Sequence, residues 1–270
     1  MNEGAVEPVF NSVADTYDNI KLLQGTAEQM VEYAKLSSGQ RVLDVACATG
    51  FSTMPAARAV GDTGKVVGID IADKLLEVAR TKARSAGLSN LEYRVGDAEV
   101  LEFEDASFDA VICASSIFLL RDIPGALEEW HRVLKAGGTI AFSSFEKDHL
   151  QPVSGLLYAH LVRYEGRVPM GQQPEGKTDT PGKCRELLKD AGFEKIKIIT
   201  EQMGSYLQDA MACWNEVSYP IVRLRRTRFS PDDFEKFKAE YFAEVDAHRT
   251  ELGIWINVPA LFSIAKKPPA

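Results

Sequence analysis

Apolar residues at helical spacing open the chain: Phe10, Val13, Tyr17 and Ile20, then Met30, Tyr33 and Ala34. They predict a helical lead-in over residues 10–36. From 40 to 145 the pattern alternates between apolar runs and amphipathic stretches. Strands are expected near 41–46, 65–70, 91–95, 108–114 and 138–145, and helices near 51–60, 72–86 and 123–135. That rhythm predicts a parallel sheet with helices on both faces. Ser37-Ser38-Gly39, the 61–64 stretch and Ala136-Gly137-Gly138 punctuate it. Beyond 145 the rhythm changes. Residues 146–181 are rich in Pro and Gly around a helix expected at 153–164. Thr180-Pro181 then opens a helix that ends at Gly192, with threonine as cap and proline in the first turn. A strand is expected at 193–200, a largely helical stretch at 206–250, a last strand over 256–266, and a solvated tail after it. The resulting division is an N-terminal helical lid (1–39), a ligand-binding core (40–145), a cap insertion (146–181), a core helix and strand (182–204), a helical cap (205–254) and a last core strand with tail (255–270).

The stretch from Arg41 to Gly50 carries the most chemistry. An apolar strand holding an acid, Asp44, runs into a turn of small residues: Ala46, Cys47, Ala48, Thr49 and Gly50. Twenty residues later a second strand ends in Gly68-Ile69-Asp70-Ile71. Small residues let backbone approach a ligand closely, and an acid at the second strand end can hold ribose hydroxyls, so the order builds a nucleoside pocket. The turn lacks the GxGxxG pattern of dinucleotide sites. An acid inside the first strand suits a ligand with an ammonium group better than one with a pyrophosphate.

Composition narrows the function classes. The 270 residues, 45% of them hydrophobic, suffice for one α/β domain with appended elements. No apolar run is long enough to span a bilayer. The start, Met1-Asn2-Glu3-Gly4, is acidic without an apolar signal core, so a cytoplasmic location is expected. The four cysteines show no CxxC pairing and read as reduced thiols. A net charge of −8 argues against a nucleic-acid surface, which needs clustered positive charge.

Four blocks, VLDVACATG (42–50), VVGIDIADKLLEVAR (66–80), VGDAEVLEFEDASFDAVICASS (95–116) and HRVLKAGGTIAFSSF (131–145), resemble in order the class I S-adenosylmethionine-dependent methyltransferases, in particular the ubiquinone/menaquinone-biosynthesis-like branch. The resemblance implies a Rossmann-like α/β fold: a mostly parallel seven-stranded sheet with helices on both faces and a helical cap. It implies S-adenosyl-L-methionine as cofactor, S-adenosyl-L-homocysteine as product and a small-molecule acceptor. On that resemblance Asp44 meets the positive amino-acid end, directly or through water, and Ala46, Thr49 and Gly50 lie against the methionine portion. Relatives usually carry glycine where this chain has Ala46 and Ala48. Asp70 takes both ribose hydroxyls, the alternative being a helix N-cap. Ile71 packs on the adenine, Asp97 takes its amino group, the Ala98 amide faces a ring nitrogen, and Ala114 and Ser115 line the sulfonium. Tyr17 belongs to a lid over the cofactor, the alternative being a core tyrosine.

Methyl transfer is an in-line displacement that demands alignment, with the acceptor atom about 3 Å from the methyl carbon. A base is needed only for a protonated acceptor. The candidates are His149, His160 and Glu146, with His131 and His248 behind them, and none stands out from sequence. The basic segment from Arg223 to Arg228 reads either as a clamp for an acidic acceptor or as a solvated helix end. Trp214, Tyr219, Phe229, Tyr241 and Trp255 are candidate walls for an aromatic acceptor. A nucleic-acid base methyltransferase would carry an Asn/Asp-Pro-Pro-Tyr-type motif where this chain has Cys113-Ala114-Ser115-Ser116. The remaining alternative is a cofactor-binding relative without methyl transfer, regulatory or pericyclic in type. No metal is expected, and the chain is expected to be a monomer or homodimer.

Overall fold

A computed structural model describes residues 3–165, 176–218 and 228–270. Its centre is a seven-stranded sheet. Five strands arrive in the predicted alternation: β1 (Arg41–Val45), β2 (Lys65–Asp70), β3 (Leu91–Val95), β4 (Phe108–Cys113) and β5 (Leu134–Phe145). β6 (Glu194–Gln202) follows later, and β9 (Pro259–Lys266) closes the sheet in the order β3-β2-β1-β4-β5-β9-β6. Neighbours from β3 to β5 pair in parallel, and β9 runs antiparallel to both β5 and β6. Strand order reverses between β1 and β4, which opens a crevice at their carboxyl ends.

Both faces of the sheet are covered, so β1 is buried at every position after Arg41. One face packs Leu43, Val45, Val111, Ile140 and Phe142 against α5 (Ile123–Val133) and α7 (Pro181–Asp190). The other packs Val42, Val66, Ile112 and Phe262 against α2 (Lys21–Ala34) and α3 (Thr53–Val60). Alternating side chains thus serve two cores from one strand. α4 (Asp73–Ser85) completes the β2–β3 crossover. The caps follow from sequence: the Asp122 carboxylate accepts from Gly125 N–H ahead of α5, and Thr180 Oγ1 accepts from Lys183 N–H ahead of α7.

Two appendages stand on this core. The lid is α1 (Glu3–Val13), a short 3-10 turn at Tyr17–Asn19 and α2; Val13, Ala14, Tyr17 and Ile20 pack on Ala48, Ala72 and Leu75. The cap joins α6 (Val153–Glu165), α8 (Ala210–Cys213), the π-helical turn Trp214–Ser218 and α9 (Pro231–Asp246) around Leu157, Leu161, Phe237, Tyr241 and Val245. The structure departs from the expected pattern in three places. β5 begins at Leu134 rather than near 138, so Ala136-Gly137-Gly138 lies inside the strand, where its pairing with β4 shifts register. The 206–250 stretch opens with a strand, β7 (Ser205–Leu207), which pairs antiparallel with β8 (Ile254–Ile256). The expected last strand is therefore split, and only β9 joins the main sheet. Asn257 causes the break: its N–H bonds Gln151 O at 3.1 Å and its Nδ2 donates to Asp148 O at 3.0 Å, so it ties the chain to the loop after β5 rather than continuing a ladder. Among the described residues no helix is long and apolar enough to cross a membrane. All four cysteines are free and buried.

Trp130 connects core to crevice. It is fully buried on α5, and its indole N–H donates to Ala98 O at 2.8 Å, which pins the turn after β3. Trp130→Phe leaves that carbonyl unpaired in the interior, at a cost of about 1–3 kcal/mol. Urea unfolding monitored by circular dichroism is expected to show that loss as a lower midpoint with an unchanged slope.

Candidate functional site

The site is built where β1, β2, β3 and β4 end. Cys47 N–H donates to Ile69 O at 3.0 Å and Gly96 N–H to Asp70 O at 3.1 Å, so three strand ends are laced together. The turn after β1 is tight. Ala46 (φ 53°), Ala48 (φ 48°) and Gly50 (φ 88°) all lie in the left-handed region, as does Ser115 (φ 52°) after β4. Left-handed backbone costs a residue with a Cβ about 1–2 kcal/mol. Glycine would adopt these angles without that cost. Room is equally scarce: a Cβ on Gly50 would stand 2.5 Å from Tyr93 Oη, and one on Gly68 would stand 2.9 Å from Cys47 Sγ.

Asp70 sits at the hub. Its carboxylate is buried, with Oδ2 accepting from Ala48 N–H at 2.8 Å and Oδ1 from Ala72 N–H at 2.9 Å. The contact to Ala72 is a local turn ahead of α4, whose N-cap is Ala72 without a side-chain cap, and the same carboxylate also fastens the turn after β1. Burial pushes the carboxyl up, and these amides pull it back. Each oxygen keeps a lone pair for a further donor.

Asp44 lies deeper. Its side chain is fully buried; Ser52 Oγ (2.7 Å) and Thr53 Oγ1 (2.6 Å) both donate to Oδ2, and Oδ1 has no partner among the described residues. Burial pushes its pKa up to about 7, and the neighbouring Asp70 charge adds to the rise. No cation pairs with Asp44 or Asp70 among the described residues. The donor set thus fits a positively charged ligand: two buried carboxylates, one with an orphaned oxygen, await compensation. In this conformation the turn seals Asp44 from direct contact, so its charge acts from beneath.

Tyr17 is packed as a core tyrosine in the cluster that joins the N-terminal segment to the turn after β1. It is a buried member of the lid cluster, stacked on Phe51 (5.8 Å, 27° between planes), and burial together with the nearby Asp70 charge raises its phenol well above the usual range. Beside it stands a residue that the sequence reading missed. Asp18 Oδ1 accepts from Thr49 Oγ1 at 2.6 Å, and Oδ2 pairs with Lys82 Nζ at 2.8 Å. Asp18 latches the lid to the turn and to α4. Its adjacency to Tyr17 was the available signal. Asp97 Oδ1 accepts from Glu99 N–H at 2.9 Å, and Ile71 is partly exposed just past Asp70. Ser115 N–H donates to Ser143 Oγ at 2.8 Å, which joins the ends of β4 and β5. The crevice thus gathers Tyr17, Ala46, Thr49, Gly50, Asp70, Ile71, Asp97, Ala98, Ala114 and Ser115 at neighbouring strand ends, with Asp44 below them.

The base candidates scatter. His131 lies in the last turn of α5 and packs on Phe193, and burial and Lys267 lower its affinity for a proton. His160 is buried between α6 and α9, 3.1 Å from Glu244 and edge-on to Phe237 and Tyr241. His248 follows α9. His149 alone of the four stands just beyond the end of β5, stacked on Phe145 (5.1 Å, 13°), which in turn meets Phe118 at 6.0 Å. Trp214, Phe229 and Tyr241 belong to the cap core, and Trp255 is surface-facing against Tyr206. Tyr219 and the segment from Arg223 to Thr227 lie outside the described residues, while Arg228 is exposed.

The sheet order, its single antiparallel strand and this acid-flanked turn define a Rossmann-like, class I S-adenosylmethionine-dependent methyltransferase. Comparison with known proteins agrees, and the chain belongs to the methyltransferase domain family, which matches residues 36–208. The ubiquinone/menaquinone biosynthesis C-methyltransferase UbiE of Enterobacter sp. (strain 638) is 36% identical over 220 residues, 74% of this chain and 86% of that protein. Aklanonic acid methyltransferase DauC of Streptomyces sp. (strain C5) is 38% identical over 141 residues, 52% of this chain, and the match spans 64% of DauC. The crystal structure of YcgJ from Bacillus subtilis shares the fold, with a TM-score of 0.60 at 20% identity over 91% of this chain and 99% of that one.

Two predictions follow from the geometry. Ala46→Gly relieves about 1–2 kcal/mol of left-handed strain and gives back about 0.5–1 kcal/mol in chain entropy, for a net stabilisation near 0.5–1 kcal/mol in chemical denaturation. Ala48→Gly is expected to gain less, because the Ala48 methyl packs in the lid cluster.

Asp44 makes both stability and binding depend on pH. Its folded pKa, about 7, lies above the unfolded value, so the folded state holds the extra proton between about pH 4 and pH 7. This carboxyl's contribution to the stability of the free protein therefore falls as pH rises through that window. A bound cation lowers the pKa, so affinity for S-adenosylmethionine rises with pH through about 7 and protons are released. Calorimetry near pH 7 in buffers of different ionisation enthalpy is expected to detect that release, and Asp44→Asn to abolish it.

Proposed function

We propose that this methyltransferase acts on a small, planar aromatic acceptor of the hydroquinone or polyphenol type, with the cofactor held by Tyr17, Asp44, Ala46, Thr49, Gly50, Asp70, Ile71, Asp97, Ala98, Ala114 and Ser115. The observation that supports the acceptor class is the aromatic array Phe118–Phe145–His149, which continues the strand ends of β4 and β5 from Ser115 and Ser143 towards the cap. Flat π-faces at 5–6 Å spacings suit stacking on a ring. The names of the relatives point the same way: UbiE is a quinone-biosynthesis C-methyltransferase, and DauC acts on aklanonic acid. These relatives are methyltransferases, so the non-transferring alternative has no support.

The division of labour reads as a core of 40–145 and 182–204 with the strand and tail of 255–270, a lid of 1–39, and a cap of 146–181 and 205–254 that sets acceptor choice. When bound, S-adenosylmethionine would supply a methyl group activated by a positively charged sulfonium, which leaves as a neutral thioether. The chain's own residues do the rest. Asp70 fixes the sugar and thereby the donor's orientation; the turn at 46–50 sets its depth; the lid, latched by Asp18 and Thr49, excludes water. Placement of this kind supplies about 7–11 kcal/mol of a barrier. The negative surface, at net charge −8, favours a small-molecule acceptor over nucleic acid. A cytoplasmic monomer or homodimer completes the reading.

Incubation with S-adenosylmethionine and a panel of hydroquinones, phenols, aromatic carboxylic acids and amines, assayed for S-adenosylhomocysteine, tests the proposal. Turnover is expected with hydroquinones and phenols. Turnover confined to aliphatic amines would overturn it.

A further inference from the structure

We propose that His149 is the general base of the transfer, its Nε2 accepting the proton from the acceptor's reacting group. The inference rests on the reading that an aromatic acceptor stacks at the ends of β4 and β5.

Four observations carry it. First, His149 Nδ1 lies 3.2 Å from Glu146 O. A carbonyl only accepts, so Nδ1 bears the hydrogen and Nε2 bears the lone pair. Nε2 has no hydrogen bond among the described residues, and unlike the nitrogens of His160 it is not sealed from solvent. Second, the ring is held flat against Phe145, the last residue of β5, two positions beyond Ser143 on the same face of the sheet. Third, the loop is rigid. Glu146 N–H bonds Pro259 O (3.0 Å), Asn257 N–H bonds Gln151 O (3.1 Å), Asn257 Nδ2 bonds Asp148 O (3.0 Å) and Ser154 Oγ bonds His149 O (3.3 Å). Fourth, Leu150 is left-handed (φ 62°), an outlier for a bulky side chain that the clamped loop maintains directly beside the histidine.

Burial lowers the ring's affinity for a proton, which keeps it neutral at pH 7, and the Glu146 carbonyl offsets this in part. The charged groups of its own loop, Glu146, Lys147 and Asp148, do not contribute to that balance, and the neighbours from α6 and from the chain ahead of β9, Ser154 and Asn257, are uncharged. In the step, the acceptor atom bonds to the methyl carbon, the carbon–sulfur bond breaks with its electron pair remaining on sulfur, and the acceptor proton passes to Nε2. The imidazolium then returns the proton to water.

His149→Asn is the informative variant, because its Nδ2 can replace the Nδ1 donor toward Glu146 O while it removes the base. With 1,4-naphthohydroquinone as acceptor, kcat is expected to fall about 100-fold or more. The acceptor KM and the affinity for S-adenosylmethionine should stay within about three-fold, and the loss should shrink at alkaline pH where the hydroquinone ionises by itself. A kcat within about three-fold of wild type overturns the assignment. Imidazole 15N chemical shifts give a second readout that needs no acceptor. A neutral ring protonated on Nδ1 at pH 7 supports the proposal; an Nε2–H tautomer or an imidazolium sinks it. If the wild-type enzyme leaves the hydroquinone unmethylated, the acceptor class is wrong, and the tautomer alone decides on the base.

Discussion

Two backbone amides on one buried carboxylate organise this molecule. Asp70 receives Ala48 N–H from the turn after β1 and Ala72 N–H from the start of α4, while its own carbonyl receives Gly96 N–H from the end of β3. One residue therefore fixes three strand ends, at the carboxyl edge where open α/β sheets take their ligands. Charge-assisted bonds of this kind are among the stronger ones a protein makes, and they are strongest away from water. The same burial that strengthens them makes the charge expensive, and with Asp44 nearby the site holds two carboxylates without a counter-cation among the described residues. A sulfonium-bearing amino acid resolves that imbalance. The fold thus stores electrostatic destabilisation in the free state that binding relieves, and donor affinity and free-state stability are set by the same two groups.

The lid follows the same logic at lower cost. Asp18 lies at the surface end of the cluster, between Thr49 and Lys82, and Tyr17 lies at its buried end on Phe51. The polar latch is partly exposed and individually weak. α1 and the 3-10 turn pack on Ala48, Ala72 and Leu75, Lys74 N–H donates to Asn11 Oδ1 at 3.0 Å, and α2 is built into the core face that holds Val42 and Phe262.

Much of this was legible in the sequence, for reasons that differ by residue. β2 and β3 were expected at the very spans they occupy: β2, covered on both faces, reads as an apolar run between turn signals, and the edge strand β3 alternates Leu91, Tyr93 and Val95 with Glu92 and Arg94. The turn at 46–50 was legible as small residues, but its left-handed alanines were not, since Ala46 and Ala48 look like helix formers until backbone angles are seen. Asp44 was legible as an unusual acid and illegible as a sealed one: its environment comes from Ser52 and Thr53, which periodicity assigns simply to a helix start. The split last strand was beyond reach because Asn257 answers to Asp148 and Gln151, more than a hundred residues away. Glu216 makes the same point: it accepts from Leu22 N–H at 3.2 Å across 194 positions, and so caps α2 from the far side of the cap. Local pattern reports burial and turn chemistry; it does not report partners.

That long-range cap ties two distant parts of the chain together. α2 begins without a side-chain cap of its own, since Ile20 supplies none. Its first turn carries the partial positive charge of a helix N-terminus, and Glu216 satisfies an amide there from the π-helical turn that follows α8. Burial raises the Glu216 carboxyl and the α2 amides draw it down. Leu22 joins the same cap cluster through its side chain. The cap helices and α2 therefore share one joint, in which a carboxylate from late in the sequence completes the start of a helix near its beginning.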